Sequence, residues 1–450
     1  MKLFARPKNL AETMAPVITL NRLMGLHAFE YPRGQPRPML SLIYLLFLYC
    51  LYYSGSMYLE DNYYSNVNLL KLEHLLYKPL ETIVIYLIFV KLLLGWWYTK
   101  KFETCCRKIF EIDETLRQLG SAINYDKIYF IIIGVMIVWF VVHLSVCIMV
   151  FIEVRMQTDV YITIGTTVVY FYELAVNFII IFEFNIFVRC LQMKFELINK
   201  LLHESLSALS TKKLKLGFFE MKDYAKIMNI ERQICSIPMK ILPYCRQKQL
   251  RREFRNRSQR HNFVMTEGQK HMYLLQIIKQ VHLELCKVLK TICIIFGIQI
   301  ACELGITIIF LTVSLYNLYI RYIGQQIMTY NLMQRTVIII LISVLDILKI
   351  TFLSRVCKDA ADEGNKTVEI IYSIYGCDIE SYMQEEIQQF GIQILQSPVR
   401  FSAYGISLDN QVFTKMLEIL TTYLVIMIQM FYKSLTYELW KIEHKSIVEK

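Results

Sequence analysis

The sequence predicts an all-α membrane protein with seven transmembrane helices, a cytoplasmic N-terminus and an extracellular C-terminus. Hydrophobic residues make up 55% of its 450 residues and charged residues only 19%, and the mean hydropathy is +0.38. Soluble domains carry about 25% charged residues, so the apolar excess of this chain must face lipid. The composition therefore excludes a soluble enzyme, a disordered regulator and a secreted disulfide scaffold.

Seven apolar stretches are long enough to cross a hydrocarbon core of about 30 Å as helices. Lys91 lies near the end of the second stretch, so we expect its ammonium group to snorkel to the membrane surface. Asp346 and Lys349 are three residues apart in the sixth stretch and should pair on one helix. The seven stretches are residues 39–59, 80–97, 128–152, 160–188, 291–314, 336–353 and 412–432.

The distribution of basic residues predicts the orientation of these spans. The segments on the N-terminal side contain 37 Lys and Arg residues, whereas those on the other side contain 9. The ratio is still 16 to 9 without the long segment 189–290. The positive-inside rule then places the N-terminus in the cytoplasm, opposite to a G-protein-coupled receptor. The twelve cysteines all fall in spans or on the predicted cytoplasmic side, as a reducing compartment allows.

Apolar residues continue at three- and four-residue steps beyond several spans, through 191–209, 272–288 and 368–375. A further amphipathic helix follows Gly376, and we expect these four cytoplasmic helices to pack on one another. The predicted organisation is a cytoplasmic segment 1–38, transmembrane helices 1–4 in 39–188, a cytoplasmic loop 189–290, transmembrane helices 5 and 6 in 291–353, cytoplasmic anchor helices 354–411, helix 7 in 412–432 and an extracellular tail 433–450.

The loop 189–290 contains a basic linker, 211–266, with 14 Lys or Arg and 4 Asp or Glu residues. A patch for anionic lipid or nucleic acid would have this composition, and so would a cytoplasmic linker that follows the positive-inside rule. Because the segment contains no nucleic-acid-binding motif, we favour the linker and expect no nucleic-acid partner.

The seventh stretch contains Thr422 and Tyr423, then five hydrophobic residues, Gln429 and Met430. This resembles the signature of the insect gustatory receptors, which is Thr-Tyr, five hydrophobic residues, Gln and Phe, with Met430 in place of the Phe. The segment before the signature is also similar to that family, at Phe401, Gly405, Leu408 and Asp409, and the N-terminal residues 23–26 resemble its cytoplasmic N-terminal helix. By this resemblance the chain is identified as a member of the insect chemoreceptor superfamily.

The resemblance implies a tastant-gated, non-selective cation channel in the plasma membrane of sensory neurons. It implies a homotetramer, or a heterotetramer with sister receptors, in which the last helix of each subunit lines a pore for Na⁺, K⁺ and Ca²⁺. A small-molecule tastant would bind from outside, in a site formed by the second to sixth helices. No catalytic residue, cofactor or metal site is expected.

The predicted pore residues are Thr422, Ile426, Gln429 and Met430. The first three recur at steps of four and three and so share one helix face. A ring of neutral amides from Gln429 would suit poor ion selectivity, and an apolar ring from Ile426 or Met430 could close the pore by dewetting. Alternatively, Gln429 bonds only to a neighbouring helix. A ring of Lys433 side chains would repel cations, so Lys433 must point away or line a wide vestibule.

The predicted ligand site lies in the outer halves of the third to fifth spans. Aromatic walls with a few fixed polar groups suit a small polar organic ligand, although such side chains also pack in ordinary helix bundles. Glu173 is the strongest candidate, because a carboxylate at that depth needs a reason to be there. Glu173 and Glu303 could bind an ammonium group or a sugar hydroxyl. The candidates are Trp139, His143, Tyr170, Glu173, Asn177, Glu303 and Thr307.

The main alternative is a membrane receptor or transporter for a small organic ligand that does not itself conduct ions. A transporter would carry paired half-repeats and spans interrupted by Gly or Pro, which the sequence does not show. A membrane enzyme is disfavoured because the sequence contains no metal-binding motif such as His-Glu-x-x-His.

Overall fold

The computed structural model describes Pro7 and residues 10–28, 37–66, 71–121, 123–156, 158–214, 267–323, 330–375 and 381–448. The described chain is helical except for a short hairpin and the connecting turns. Its elements are α1 Leu10–Leu23, α2 Pro38–Asn66, α3 Lys71–Gln118, α4 Tyr125–Arg155, α5 Val160–Leu214, α6 Glu267–Ile323, α7 Tyr330–Tyr375, α8 Ser381–Gln396, β1 Ser402–Ala403, β2 Ile406–Ser407 and α9 Gln411–Val448.

Seven of these helices are long and apolar enough to cross a membrane. Each one overlaps a stretch predicted from hydropathy, so the prediction of an all-α, seven-helix membrane protein is confirmed. The orientation of the termini stays a prediction. The membrane-crossing segments are Pro38–Leu59, Lys78–Gln118, Tyr125–Arg155, Val160–Glu204, His271–Ile320, Thr336–Ser373 and Gln411–Met430.

Helix α5 is the centre of the bundle. It packs against α2, α4, α6 and α7, and 78% of its apolar window is buried inside the protein, against 22% for α4. An α5 residue therefore meets side chains from several helices at once. Polar residues on α5 lie where a site shared by several helices can form.

Helices α5, α6 and α7 are much longer than a membrane crossing requires. The 55 residues of α5 span about 80 Å at 1.5 Å per residue, whereas the hydrocarbon core is about 30 Å thick. We call the end of the bundle where α5 ends and α6 begins the linker end. The helical continuations that the periodicity predicts are present there, and α8 supplies the predicted further helix. Residues 215–266 of the basic linker lie outside the described residues.

The helices of the linker end pack on one another through a shared aromatic and amide core. The ring of His282 lies 5.3 Å from that of Phe195 and 5.6 Å from that of Phe390, which joins α5, α6 and α8. Asn199 of α5 donates to the backbone carbonyl of Glu363 at 2.8 Å and accepts from Thr367 at 2.6 Å, which joins α5 to α7. The expected packing of these four helices is confirmed.

The N-terminal residues 10–28 are wedged into the bundle. Helix α1 ends in a Schellman motif: Leu26 N–H donates to the Asn21 carbonyl at 2.9 Å and Gly25 has φ +80°. The following backbone lies so close to α3 that a Cβ on Gly95 would lie 2.0 Å from the Leu26 carbonyl oxygen. The Tyr172 hydroxyl of α5 donates to the Met24 carbonyl at 3.1 Å. Only glycine at position 95 permits the Leu26 backbone to pack this closely against α3.

A two-residue hairpin leads into α9. Tyr404 and Gly405 both have positive φ, 51° and 90°, as a type I′ turn requires. Phe401 and Leu408 are buried on either side of it. Asp409 then caps α9, because its carboxylate accepts from Gln411 N–H at 2.9 Å. Four residues of the segment that precedes the signature thus have local structural roles.

Candidate functional site

A group of buried and half-buried charges joins three helices in the middle of the membrane-crossing bundle. We call Lys91, Glu303, Lys349 and Asp346 the charged cluster. The Lys91 Nζ lies 2.5 Å from Glu303 Oε2, and the Lys349 Nζ lies 2.6 Å from Glu303 Oε1 and 2.7 Å from Asp346 Oδ1. The charges alternate in sign along this chain, so the cluster is neutral as a whole. Pairing of this kind is what allows charges to remain in a low-dielectric interior.

Amide side chains position the cluster. Asn177 of α5 accepts from the Lys91 ammonium group at 2.5 Å. Gln299, four residues before Glu303 on α6, donates to the Lys91 backbone carbonyl at 3.1 Å. The α3 segment around Lys91 is therefore held to α5 and α6 through both its side chain and its backbone.

The cluster corrects one expectation and confirms another. The Lys91 side chain is only 1% exposed, so the prediction that it snorkels to the membrane surface is wrong. It turns inward because Glu303 and Asn177, which come from distant parts of the sequence, meet it there. The predicted pairing of Asp346 with Lys349 is confirmed.

Glu173 lies beside the cluster without a direct partner in it. Within the part of the chain that the structure describes, no hydrogen bond or ion pair engages its carboxylate. Lys91, Glu303 and Asp346 are all within electrostatic range of it, and so are Tyr52 and Tyr170. Tyr170, Glu173 and Asn177 are spaced by three and four residues, so all three lie on one face of α5.

Trp139 and His143 form a closed pair on α4. The Trp139 indole N–H donates to His143 Nε2 at 3.0 Å, and His143 Nδ1 lies 3.0 Å from the Trp139 carbonyl oxygen. A neutral imidazole with its proton on Nδ1 satisfies both contacts. The Trp139 ring also stacks on Phe178 of α5, with centroids 4.6 Å apart and planes 16° apart. Both His143 nitrogens are thus satisfied within the protein.

Helix α9 is attached to the bundle along one narrow face. Its buried residues Val412, Met416 and Leu420 recur every four residues and pack toward α6 and α7. The other faces of the segment 411–430 are exposed or half-buried. They include all four predicted pore residues, Thr422, Ile426, Gln429 and Met430.

Comparison with known proteins identifies the family. The family model described as 7tm chemosensory receptor matches residues 15–433, which is nearly the whole chain. The chain belongs to this chemosensory receptor family.

Similarity to individual proteins agrees with the membership of this chain in the chemosensory receptor family. It is 29% identical over 153 residues to the gustatory and pheromone receptor 32a of Drosophila melanogaster, and the match covers 34% of this receptor and 32% of that relative. The match thus spans about a third of that relative's length. Its fold is similar to that of the insect olfactory receptor OR5 from Machilis hrabei, with a TM-score of 0.60 at 10% identity over 94% of this chain and 98% of the other. The complex of OR5 with eugenol gives a TM-score of 0.58 at 11% identity.

The structure brings some of the predicted ligand residues of this receptor together. Asn177 and Glu303 meet at Lys91, Glu173 and Tyr170 lie next to them, and Thr307 is buried one helical turn from Glu303. Trp139 and His143 mainly contact each other and the aromatic face of α5. Sequence reasoning missed Lys91 and Lys349 as members of this site. Their presence inside apolar stretches was the signal that could have found them.

Proposed function

We propose that this chemosensory receptor is a gustatory receptor that acts as a tastant-gated, non-selective cation channel in the plasma membrane of sensory neurons. The ligand binds in the outer half of the helix bundle, and the last helix of each subunit lines the pore. The observation that carries this proposal is the exposure of α9, which leaves an amide side chain, Gln429, on the outside of the protomer.

An exposed Gln429 is unfavourable in a lone protomer, because a polar side chain in contact with lipid lacks hydrogen-bond partners. Four copies arranged around an axis would enclose α9 and place the four amides next to water. A ring of neutral amides binds cations weakly, which fits passage of Na⁺, K⁺ and Ca²⁺ without strong selection. Ile426 and Met430, which are 44% and 68% exposed on the protomer, would supply an apolar constriction that closes by dewetting.

The charged cluster offers a route from ligand to pore. It joins α3, α6 and α7, and α9 packs against α6 and α7. A ligand that binds one arrangement of these helices better than another shifts the equilibrium between them. The names of the relatives support a small-molecule ligand, because one relative is called a gustatory and pheromone receptor and OR5 has been solved with eugenol.

The test is a current recorded in cells that lack G-protein signalling, during a screen of small molecules. We expect agonists to evoke a cation current that reverses close to zero potential. Gln429→Ala should change the unitary conductance or the block by divalent cations. Gln411→Ala is the matched control, since it removes the same side chain from the first residue of α9.

Two results would contradict the proposal. Unchanged conductance and block in Gln429→Ala at normal surface expression would remove that residue from the ion path. Saturable agonist binding without any current would favour the alternative, a receptor or transporter that does not conduct.

A further inference from the structure

Basic side chains without acidic partners lie where α3 leaves the apolar part of the bundle. Trp97 ends the apolar stretch 80–97 and is 72% exposed. The next exposed side chains of α3 are Lys100, Lys101, Thr104 and Arg107. Among the described residues, no carboxylate pairs with any of the three basic groups. Glu103, the carboxylate closest to them in sequence, is half-buried and does not pair with them either.

Two contacts place these basic groups toward the linker end of the bundle. Lys91 of α3 contacts Asn177 of α5 at 2.5 Å, and further along the same two helices Asp113 pairs with Lys194. Helices α3 and α5 therefore run in the same direction, and Lys100 lies between these two levels. The positive-inside rule predicts that this end faces the cytoplasm, where the membrane leaflet carries anionic lipids.

The start of α2 adds another basic residue beside α3. The Trp96 indole N–H donates to the Pro38 carbonyl at 3.0 Å, so α2 begins next to Trp96. Arg37 directly precedes Pro38 and is exposed, and no carboxylate among the described residues pairs with it. Lys100 follows Trp96 by four residues and so shares its face of α3. Arg37 therefore lies on the side of α3 that carries Lys100.

The surface next to these basic groups is apolar and exposed. Met39 and Ile43, in the first turns of α2, are 73% and 69% exposed. In a membrane such side chains contact acyl chains, and the basic groups follow them in the direction of the headgroups. A phospholipid has the same order of parts, because its acyl chains lead to a charged headgroup. A soluble polyanion would use only the basic half of this surface.

We propose that Arg37, Lys100 and Lys101 bind the headgroup of an anionic phospholipid whose acyl chains lie along Trp97 and the first turns of α2. Guanidinium and ammonium groups form charge-assisted hydrogen bonds with phosphate oxygens. The headgroup displaces no carboxylate of the described chain, since none pairs with these side chains. A bound lipid would connect the start of α2 to α3, the helix that carries Lys91 of the charged cluster.

The test measures displacement of fluorescent phosphatidylinositol 4,5-bisphosphate from the purified full-length receptor in dodecyl maltoside micelles, by fluorescence anisotropy. We expect the unlabelled form of this lipid to displace the probe at a concentration roughly tenfold or more below that of phosphatidylcholine. Soluble inositol 1,4,5-trisphosphate should also need roughly tenfold or more the concentration of the lipid, because it has no acyl chains to bury. Added salt should weaken binding of the lipid, because salt screens exposed charges.

Matched double variants locate the site. Arg37→Gln with Lys100→Gln removes two basic groups of the proposed site and should weaken binding of the labelled lipid roughly tenfold or more. Lys108→Gln with Arg117→Gln removes the same two charge types farther along α3 and should change the affinity by no more than about twofold. Both control residues already have carboxylate partners, since Lys108 lies 3.9 Å from Glu284 and Arg117 lies 2.8 Å from Glu114.

Several results would overturn the inference. Equal displacement by phosphatidylcholine would show that the charge of the headgroup is not recognised, and equal displacement by the soluble trisphosphate would assign the surface to a soluble polyanion. Unchanged affinity in Arg37→Gln with Lys100→Gln, or an equal loss in both double variants, would remove the site from this position. The comparison of lipids uses the wild-type receptor, so it stands even if a variant folds poorly. Binding is measured without conduction, so the result does not depend on the proposed channel.

Discussion

Glu303 is shared by two lysines, and this sharing decides how the middle of the bundle tolerates charge. Its side chain is only 5% exposed, and each of its oxygens accepts from a different ammonium group. Removing one member of a buried ion pair costs more than the pair contributes, because an unpaired charge remains. Substitution of Glu303 should therefore lower the free energy of unfolding as well as alter the candidate site.

The first prediction follows from this arrangement. Glu303→Leu should destabilise the receptor by about 3–5 kcal/mol, since Lys91 would lose the carboxylate that pairs with it among the described residues. Adding Lys91→Met should restore part of the loss, because Lys349 still pairs with Asp346. Thermal unfolding of the detergent-solubilised receptor measures both effects.

Lys108→Met is the matched control for the lysine substitution. The Lys108 side chain is 44% exposed and its Nζ lies 3.9 Å from a Glu284 oxygen, so its removal should change stability by no more than about 1 kcal/mol. A double variant no more stable than Glu303→Leu alone would show that the Lys91 charge is not the source of the loss.

At the scale of elements, the packing of residues 10–28 against α3 depends on the close approach of the Leu26 backbone to Gly95. Gly95→Ala would bring a Cβ to 2.0 Å from the Leu26 carbonyl oxygen, so the N-terminal segment or α3 must move. We expect a lowered unfolding temperature and faster proteolysis of residues 10–28. Gly134→Ala in α4 is the control, because nothing lies within 4 Å of its added Cβ. It should be neutral or stabilising by up to about 1 kcal/mol. Equal behaviour of the two variants would argue against the close contact.

The start of α9 provides a second prediction at this scale. Asp409→Ala removes the side-chain acceptor for Gln411 N–H and should cost about 1 kcal/mol, whereas Asp409→Asn keeps an acceptor and should cost only a few tenths. Thermal unfolding and surface expression report the difference. If Asn and Ala are equally destabilising, the negative charge rather than the cap is what matters at this position.

For the whole molecule, the orientation in the membrane is the property that most sharply separates receptor classes. The loop charges predict an N-terminus inside the cell and a C-terminus outside. An epitope tag at the C-terminus should therefore stain intact cells, and a tag at the N-terminus should stain only permeabilised cells. The opposite pattern would restore the orientation of a G-protein-coupled receptor. The N-terminal tag serves as the internal control for membrane integrity.

Hydropathy and periodicity predicted the seven membrane helices and the extensions of α5, α6 and α7, because both signals are local. The partners of Lys91 could not be predicted, since Asn177 and Glu303 lie 86 and 212 residues away in the sequence. The hairpin at 402–407 was also missed, because strands of two residues leave no detectable alternation. The family signature pointed to Phe401, Gly405, Leu408 and Asp409 without revealing that they form a turn and a helix cap.

A long separation in sequence also determines when residues 10–28 can pack against their partners during synthesis. Met24 and His27 contact Tyr172 and Glu183, which follow them by 148 and 156 residues. At about 5–20 residues per second, a ribosome takes on the order of ten seconds to make that stretch. Residues 10–28 therefore cannot dock in their final position until the fourth membrane helix, α5, has been inserted. Their docking marks the completion of the first half of the bundle.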